Sequence, residues 1–74
     1  MTPEQFYDLD EQEQAEVIWE GKHIGHWEDE QHNIILYKIG DLYVEAYYHR
    51  EYNVLRKFVA YNSLEFLDFL LPKN

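Results

Sequence analysis

There is no cysteine in the 74 residues. A disulfide framework, a thiolate nucleophile and a cysteine metal site are thereby excluded, and the chain suits a reducing compartment. Small hydroxyls are almost as scarce. Thr2 and Ser63 are the only ones, and both stand where helix caps belong. A Ser-His-acid arrangement built on Ser63 would give up that cap. The three glycines, Gly21, Gly25 and Gly40, are isolated, so no glycine-rich phosphate loop can form. No apolar run approaches the ~18 residues of a membrane span. No basic stretch followed by an apolar one opens the chain. The expectation is one small domain, 1–74, that is not an enzyme, carries no cofactor, is cytoplasmic and leaves membranes alone.

Positive charge is also in short supply. Six Lys and Arg face fifteen Asp and Glu, for a net charge of −9. Ten of the acids lie within residues 1–30, where Lys22 is the only base; the remainder of the chain is balanced. Such a field repels nucleic-acid phosphates and anionic lipid, and favours basic partners. The tyrosines offer stacking surfaces, but the cations that a nucleic acid needs are lacking.

What is present is dominated by Ile34–His49, two runs rich in β-branched and aromatic residues around Gly40-Asp41. A two-residue loop with Gly first suits a type II′ hairpin. That turn pairs Ile39 with Leu42, Tyr37 with Val44, Ile35 with Ala46 and Asn33 with Tyr48. Those residues share one nearly apolar face, the expected core. The opposite face carries Lys38 with Tyr43, Leu36 with Glu45, Ile34 with Tyr47 and His32 with His49. Its mixture suits either a solvated surface or a partner-binding one.

Around the hairpin, Thr2-Pro3-Glu4-Gln5 has the signature of a helix start with a capping box, and Asp10 with Glu13 repeats it. Phe6 and Leu9 fall on one face of the first turn. A longer helix over 11–20 carries an inner stripe of Gln14, Val17, Ile18 and one side of Trp19, helped by Ala15. Gly21 suits a left-handed helix end. Lys22–Glu28 is a weaker strand, with Gly25 marking a bulge. Asn53 suits a positive-φ turn position. Val54–Tyr61 is a fourth strand with two possible registers: Leu55, Val59 and Tyr61 inward with Lys57 at the rim, which is preferred, or Val54, Phe58 and Ala60 inward with Arg56. Asn62-Ser63 can cap a last helix over Leu64–Leu71, stopped by Pro72. The fold class is α+β: a four-stranded antiparallel meander flanked by an N-terminal and a C-terminal helix packed on one face. The expected core is Ile35, Tyr37, Ile39, Leu42, Val44 and Ala46 beneath Val17, Ile18 and Leu67.

The segments FYDLDEQEQAEVIWEGKHIG, YKIGDLYVEAYYHREYN and SLEFLDFLL together resemble a family of small uncharacterised bacterial proteins. The resemblance implies a self-standing α–β–α domain and brings no activity or catalytic residue with it.

Two sets of residues stand out for function. The histidines are weak candidates for a metal: His23 with His26 if the bulge turns them to one side, and His32 with His49 as cross-strand neighbours. No known ligand spacing is matched, and no resident metal is expected. The second set is Phe66, Phe69 and Leu70 on the last helix with Tyr43 and Tyr47 on the mixed face. Large apolar and tyrosine side chains on a small protein suit a protein contact. The expected function is therefore a small acidic protein-interaction module, with a second copy of the chain as the simplest partner. The alternative is an acidic inhibitor, immunity-type or nucleic-acid-mimic protein that neutralises a basic partner through residues 4–30.

Overall fold

The computed structural model describes residues 1–64. Helix α1 spans Pro3–Asp8 and α2 spans Glu11–Glu20. Both open with the capping boxes expected of them. Thr2 accepts from the Gln5 backbone N–H while Gln5 answers the Thr2 N–H, and Asp10 and Glu13 do the same. Four strands follow: β1 Lys22–Glu28, β2 His32–Ile39, β3 Leu42–His49 and β4 Leu55–Tyr61. They form one antiparallel sheet in the order β1-β2-β3-β4.

The hairpin register matches the expectation at every position, including Ile39 opposite Leu42 and Tyr37 opposite Val44. Gly40 has φ +58 and Asp41 is not in the positive-φ region, the pattern of a turn needing glycine at its first central position only. Asn53 takes φ 52 in the turn before β4. Two slips shape the edges. The β1–β2 register shifts between His23 and Gly25, and the β3–β4 register shifts between Tyr47 and Tyr48, leaving Arg56 as the extra residue of β4.

The preferred register of β4 is corrected by this second slip. Ala60 pairs with Val44 and Phe58 with Ala46, so Phe58 and Ala60 turn inward while Val59 and Tyr61 share the opposite face with Glu45 and Tyr43. Leu55 stays on the core face only because the bulge moves it opposite Tyr48. Gly21 is also corrected. It is extended at φ −76 and ψ 164, and α2 runs straight into β1. Its small size is required by contact instead: a Cβ there would lie 2.7 Å from Ile39 Cγ1.

Phe6 and Ile18 pack with Leu42, Val44 and Ala60, with Leu9, Val17, Tyr37, Ile39 and Phe58 around them. Phe6 is fully buried, its ring edge-on to Phe58 at 5.6 Å. Gln14 Nε2 donates to the Phe6 carbonyl at 3.1 Å and ties the two helices together. The Ala60 backbone N–H donates to Tyr7 Oη at 2.8 Å, so α1 also occupies a donor on β4. At the far end, Arg50 joins two turns: its N–H donates to Gln31 O at 2.9 Å and its Nη1 to Asp29 O at 3.3 Å.

The expected core is right for Leu42, Val44 and Ala46, whereas Ile35, Tyr37 and Ile39 are only half-buried. The mixed face is more buried than its composition implied: Ile34, Leu36 and Glu45 are each exposed by 4% or less. The expected last helix, with Leu67 of the core, lies outside the described residues from position 65 onward.

Candidate functional site

Helix α2 is 10 residues long and therefore spans about 15 Å, against about 26 Å for an eight-residue strand. It covers one end of the core face and leaves the other end open. Ile18 drops into the core, and the next residue, turned by about 100°, swings out. Trp19 is consequently 89% exposed, although the sequence placed one side of it in the inner stripe. Ala15, also assigned to that stripe, is exposed.

Between Trp19 and the sheet runs an open groove of about 430 Å³. Ala15, Ile18, Trp19 and Gly21 form one wall, and Tyr37, Tyr48, Leu55 and Phe58 the floor and other wall. The close approach of Gly21 to Ile39 anchors the α2 end of this groove. Burial, reinforced by Tyr48 nearby, raises the pKa of Tyr37, so its hydroxyl stays neutral well above neutral pH. A second, more polar opening adjoins it, lined by Tyr7, Glu11, Gln14, Leu55, Arg56, Lys57 and Phe58. All ten acids of residues 1–30 are exposed. Among the described residues, the ion pairs are His32–Asp29 and Arg50–Glu28; neither involves an acid of α2.

The mixed face is organised around Glu45. Its Oε1 accepts from Tyr61 Oη at 2.6 Å and from Tyr47 Oη at 3.3 Å. Lys57 Nζ lies 4.7 Å from the centre of the Tyr47 ring, and Lys38 Nζ 5.7 Å from that of Tyr43. Burial first, then the Glu45 charge, pushes the Tyr47 hydroxyl up to about 12; burial and the bond to Glu45 push Tyr61 up as well. Tyr43 and Tyr47, expected as partner contacts, are half-buried and engaged in this network. Phe66, Phe69 and Leu70 lie outside the described residues.

The histidines are paired by the backbone and separated by their rings. His32 and His49 are cross-strand partners as expected. His32 Nδ1 turns to Asp29 Oδ1 at 3.3 Å, with its ring edge-on to Tyr47. His49 Nδ1 accepts from the Glu51 and Tyr52 backbone N–H groups at 3.2 and 3.3 Å, and its ring stacks on Tyr52. The β1 bulge sets His23 opposite Tyr37 and His26 opposite Ile35, on one face, but His23 Nε2 sits 3.0 Å from the Gly25 carbonyl. Among the described residues, no group of three or more His, Asp or Glu is placed to hold a metal ion. Asp29 instead holds its turn together. The Gln31 backbone N–H, with help from His32, lowers its carboxylate pKa from 3.8.

Sequence reasoning missed Trp19 and Glu45. The helical period could have found the first, since Ile18 and Trp19 cannot both face inward on a one-sided helix. For the second, the pairing of Glu45 with Leu36 was legible and Tyr47 lies two residues on along β3, but the donor from Tyr61 depends on the register of β4. Among the described residues, no helix is long and apolar enough to cross a membrane. No family model, curated protein or solved structure matches the chain.

Proposed function

We propose that this chain is a non-enzymatic protein-interaction module whose contact surface is the groove between α2 and the sheet. One observation carries the reading: Trp19 stands 89% exposed at the lip of an apolar, tyrosine-lined depression. Tryptophan and tyrosine dominate binding hot spots because each combines a large rigid apolar area with a polar tip. Elsewhere in the molecule, polar groups that acid–base chemistry would use have structural duties: Thr2 caps α1, His49 caps a turn and Glu45 binds two hydroxyls. A photoreactive phenylalanine analogue at Ala15, in the groove wall, should cross-link a defined partner in the source cell. The same analogue at Glu4 serves as control. Equal cross-linking from both positions, or none from Ala15, would count against the groove.

The full exposure of the ten N-terminal acids favours a second reading, an acidic inhibitor or immunity-type protein acting through residues 4–30. Steep weakening of partner binding with salt supports the acidic-inhibitor reading, and weak dependence supports an apolar contact.

A further inference from the structure

We infer that the mixed face of the sheet is the docking surface for the chain's own last stretch, 65–74, whose Phe66, Phe69 and Leu70 cover Ile34 and Leu36 and whose Glu65 and Asp68 meet Lys38 and Lys57. The groove beside Trp19 lies on the other face and is untouched by this contact. The burial of the mixed face calls for a second layer. A side chain on a strand stands perpendicular to its sheet, so neighbouring strands shield its flanks and not its tip. Leu36 is nonetheless 3% and Ile34 4% exposed. Among the described residues, both helices pack on the opposite face, against Leu42, Val44 and Ala60. Even the flank of Leu36 is thin on one side. Its β1 neighbour Gly25 has no side chain, and the Trp27 ring leans over that glycine, 3.3 Å from where a Cβ would stand. Trp27, Tyr43, Tyr47 and Tyr61 stand half-buried around this centre, and such aromatic walls suit phenylalanine rings.

The place where the chain leaves the sheet selects the occupant. Asn62, Ser63 and Leu64 border one cavity with Asp41 and Thr2, so the chain departs at the Gly40 end, beside the Tyr43–Tyr61 pair of the mixed face. On the core face this end is already filled by Phe6 over Leu42 and Ala60. The groove residue Leu55 lies at the far end of β4, about 20 Å from Tyr61. The mixed face from Tyr43 to Tyr47 is about 13 Å long. The ten residues after Leu64 cross it even at about 1.5 Å per residue. Their Phe66, Leu67, Phe69, Leu70 and Leu71 supply the apolar cover. Charge agrees. Lys22, Lys38 and Lys57 stand on the mixed face, where Glu45 is buried and bound to two hydroxyls. Lys38 and Lys57 lie by the rings of Tyr43 and Tyr47 and are in no ion pair among the described residues. The last stretch brings Glu65 and Asp68 against a single base, Lys73. This contact turns Phe66, Phe69 and Leu70 from partner contacts into cover for the chain's own sheet.

The test uses the full chain, with phenylalanine rings and aliphatic methyl groups labelled for NMR. Nuclear Overhauser contacts are expected from the Phe66 and Phe69 rings to the methyls of Ile34, Leu36 and Val59. In a mixture of labelled and unlabelled chains those contacts should stay within one copy. Their appearance between copies overturns the inference in favour of a second copy of the chain. Contacts from Phe66 and Phe69 to Ile18, Trp19 or Leu55 instead place the stretch in the groove and overturn it as well. So does the absence of any contact from either ring to the sheet. The double variant Lys38→Glu/Lys57→Glu should lose most of the contact intensity at about 50 mM salt, where surface charges are least screened. Arg56→Glu, a charge reversal beside the other face, should not. Full contact intensity in the lysine variant overturns the pairing of Glu65 and Asp68 with Lys38 and Lys57.

Discussion

The two faces of the sheet come from the same alternation of residues, yet they bury different things. On one, Leu42, Val44 and Ala60 meet Phe6 and Ile18 in an apolar cluster that opens into a groove where α2 stops. On the other, Ile34 and Leu36 are buried beside a carboxylate, Glu45, which is 2% exposed. An apolar face tolerates incomplete cover, because a half-buried tyrosine loses little. A buried carboxylate does not, because each oxygen taken from water needs a donor. Tyr61 and Tyr47 both donate to its Oε1, so the mixed face is the more exacting of the two.

The largest expected effect strikes the apolar face. Phe6→Ala removes a fully buried ring and should cost about 3–5 kcal/mol, enough to unfold much of so small a domain. Urea titration followed by far-UV circular dichroism measures it; a loss below about 1 kcal/mol would mean that the helices contribute little to this face.

Tyr61→Phe probes the other face. It removes the 2.6 Å hydrogen bond and leaves the Glu45 carboxylate short of a donor, an expected loss of about 1.5–3 kcal/mol. If the variant were as stable as the parent, Glu45 would have to be served by other donors and the contrast between faces would weaken.

Alkaline titration probes the mixed face through Tyr47. The Tyr47 hydroxyl has its pKa raised from 10.0 to about 12 in the fold. A raised folded pKa stabilises the protein fully below the unfolded value, and that contribution is lost as pH rises through the folded value. The urea midpoint should therefore fall between pH 10 and about 12. Glu45→Gln should make the fall shallower, since the negative charge that opposes tyrosinate formation is gone. An unchanged slope would show burial to be the whole cause.

The smallest effect is expected where exposure is greatest. Trp19→Ala should change stability by less than about 0.5 kcal/mol, because the side chain buries almost nothing. A loss of 2 kcal/mol or more, on the scale of about 3–5 kcal/mol for a buried tryptophan, would place the indole in the core and remove the basis of the groove.

Some of this molecule depends only on residues near one another in the chain. The Gly40 turn, the register it dictates, the two capping boxes and the positive φ of Asn53 were all legible because each is decided within a few residues. The bulge in β1 was legible to within one position, as glycine is cheap to bend. What resisted reading was set by distance. The inward residues of β4 turned on a slip opposite Tyr47 and Tyr48, on a different strand. Gly21 looked like a left-handed helix end, but its constraint comes from Ile39, eighteen residues on.

The sequence by itself determined the hairpin, its two faces, the helix starts and the acidic sign of the N-terminal surface, since alternation, turn chemistry and charge are local properties. The tertiary structure alone decided which parts of those faces are covered. A ten-residue helix cannot span an eight-residue strand, so part of the core face stays open and a groove remains beside Trp19.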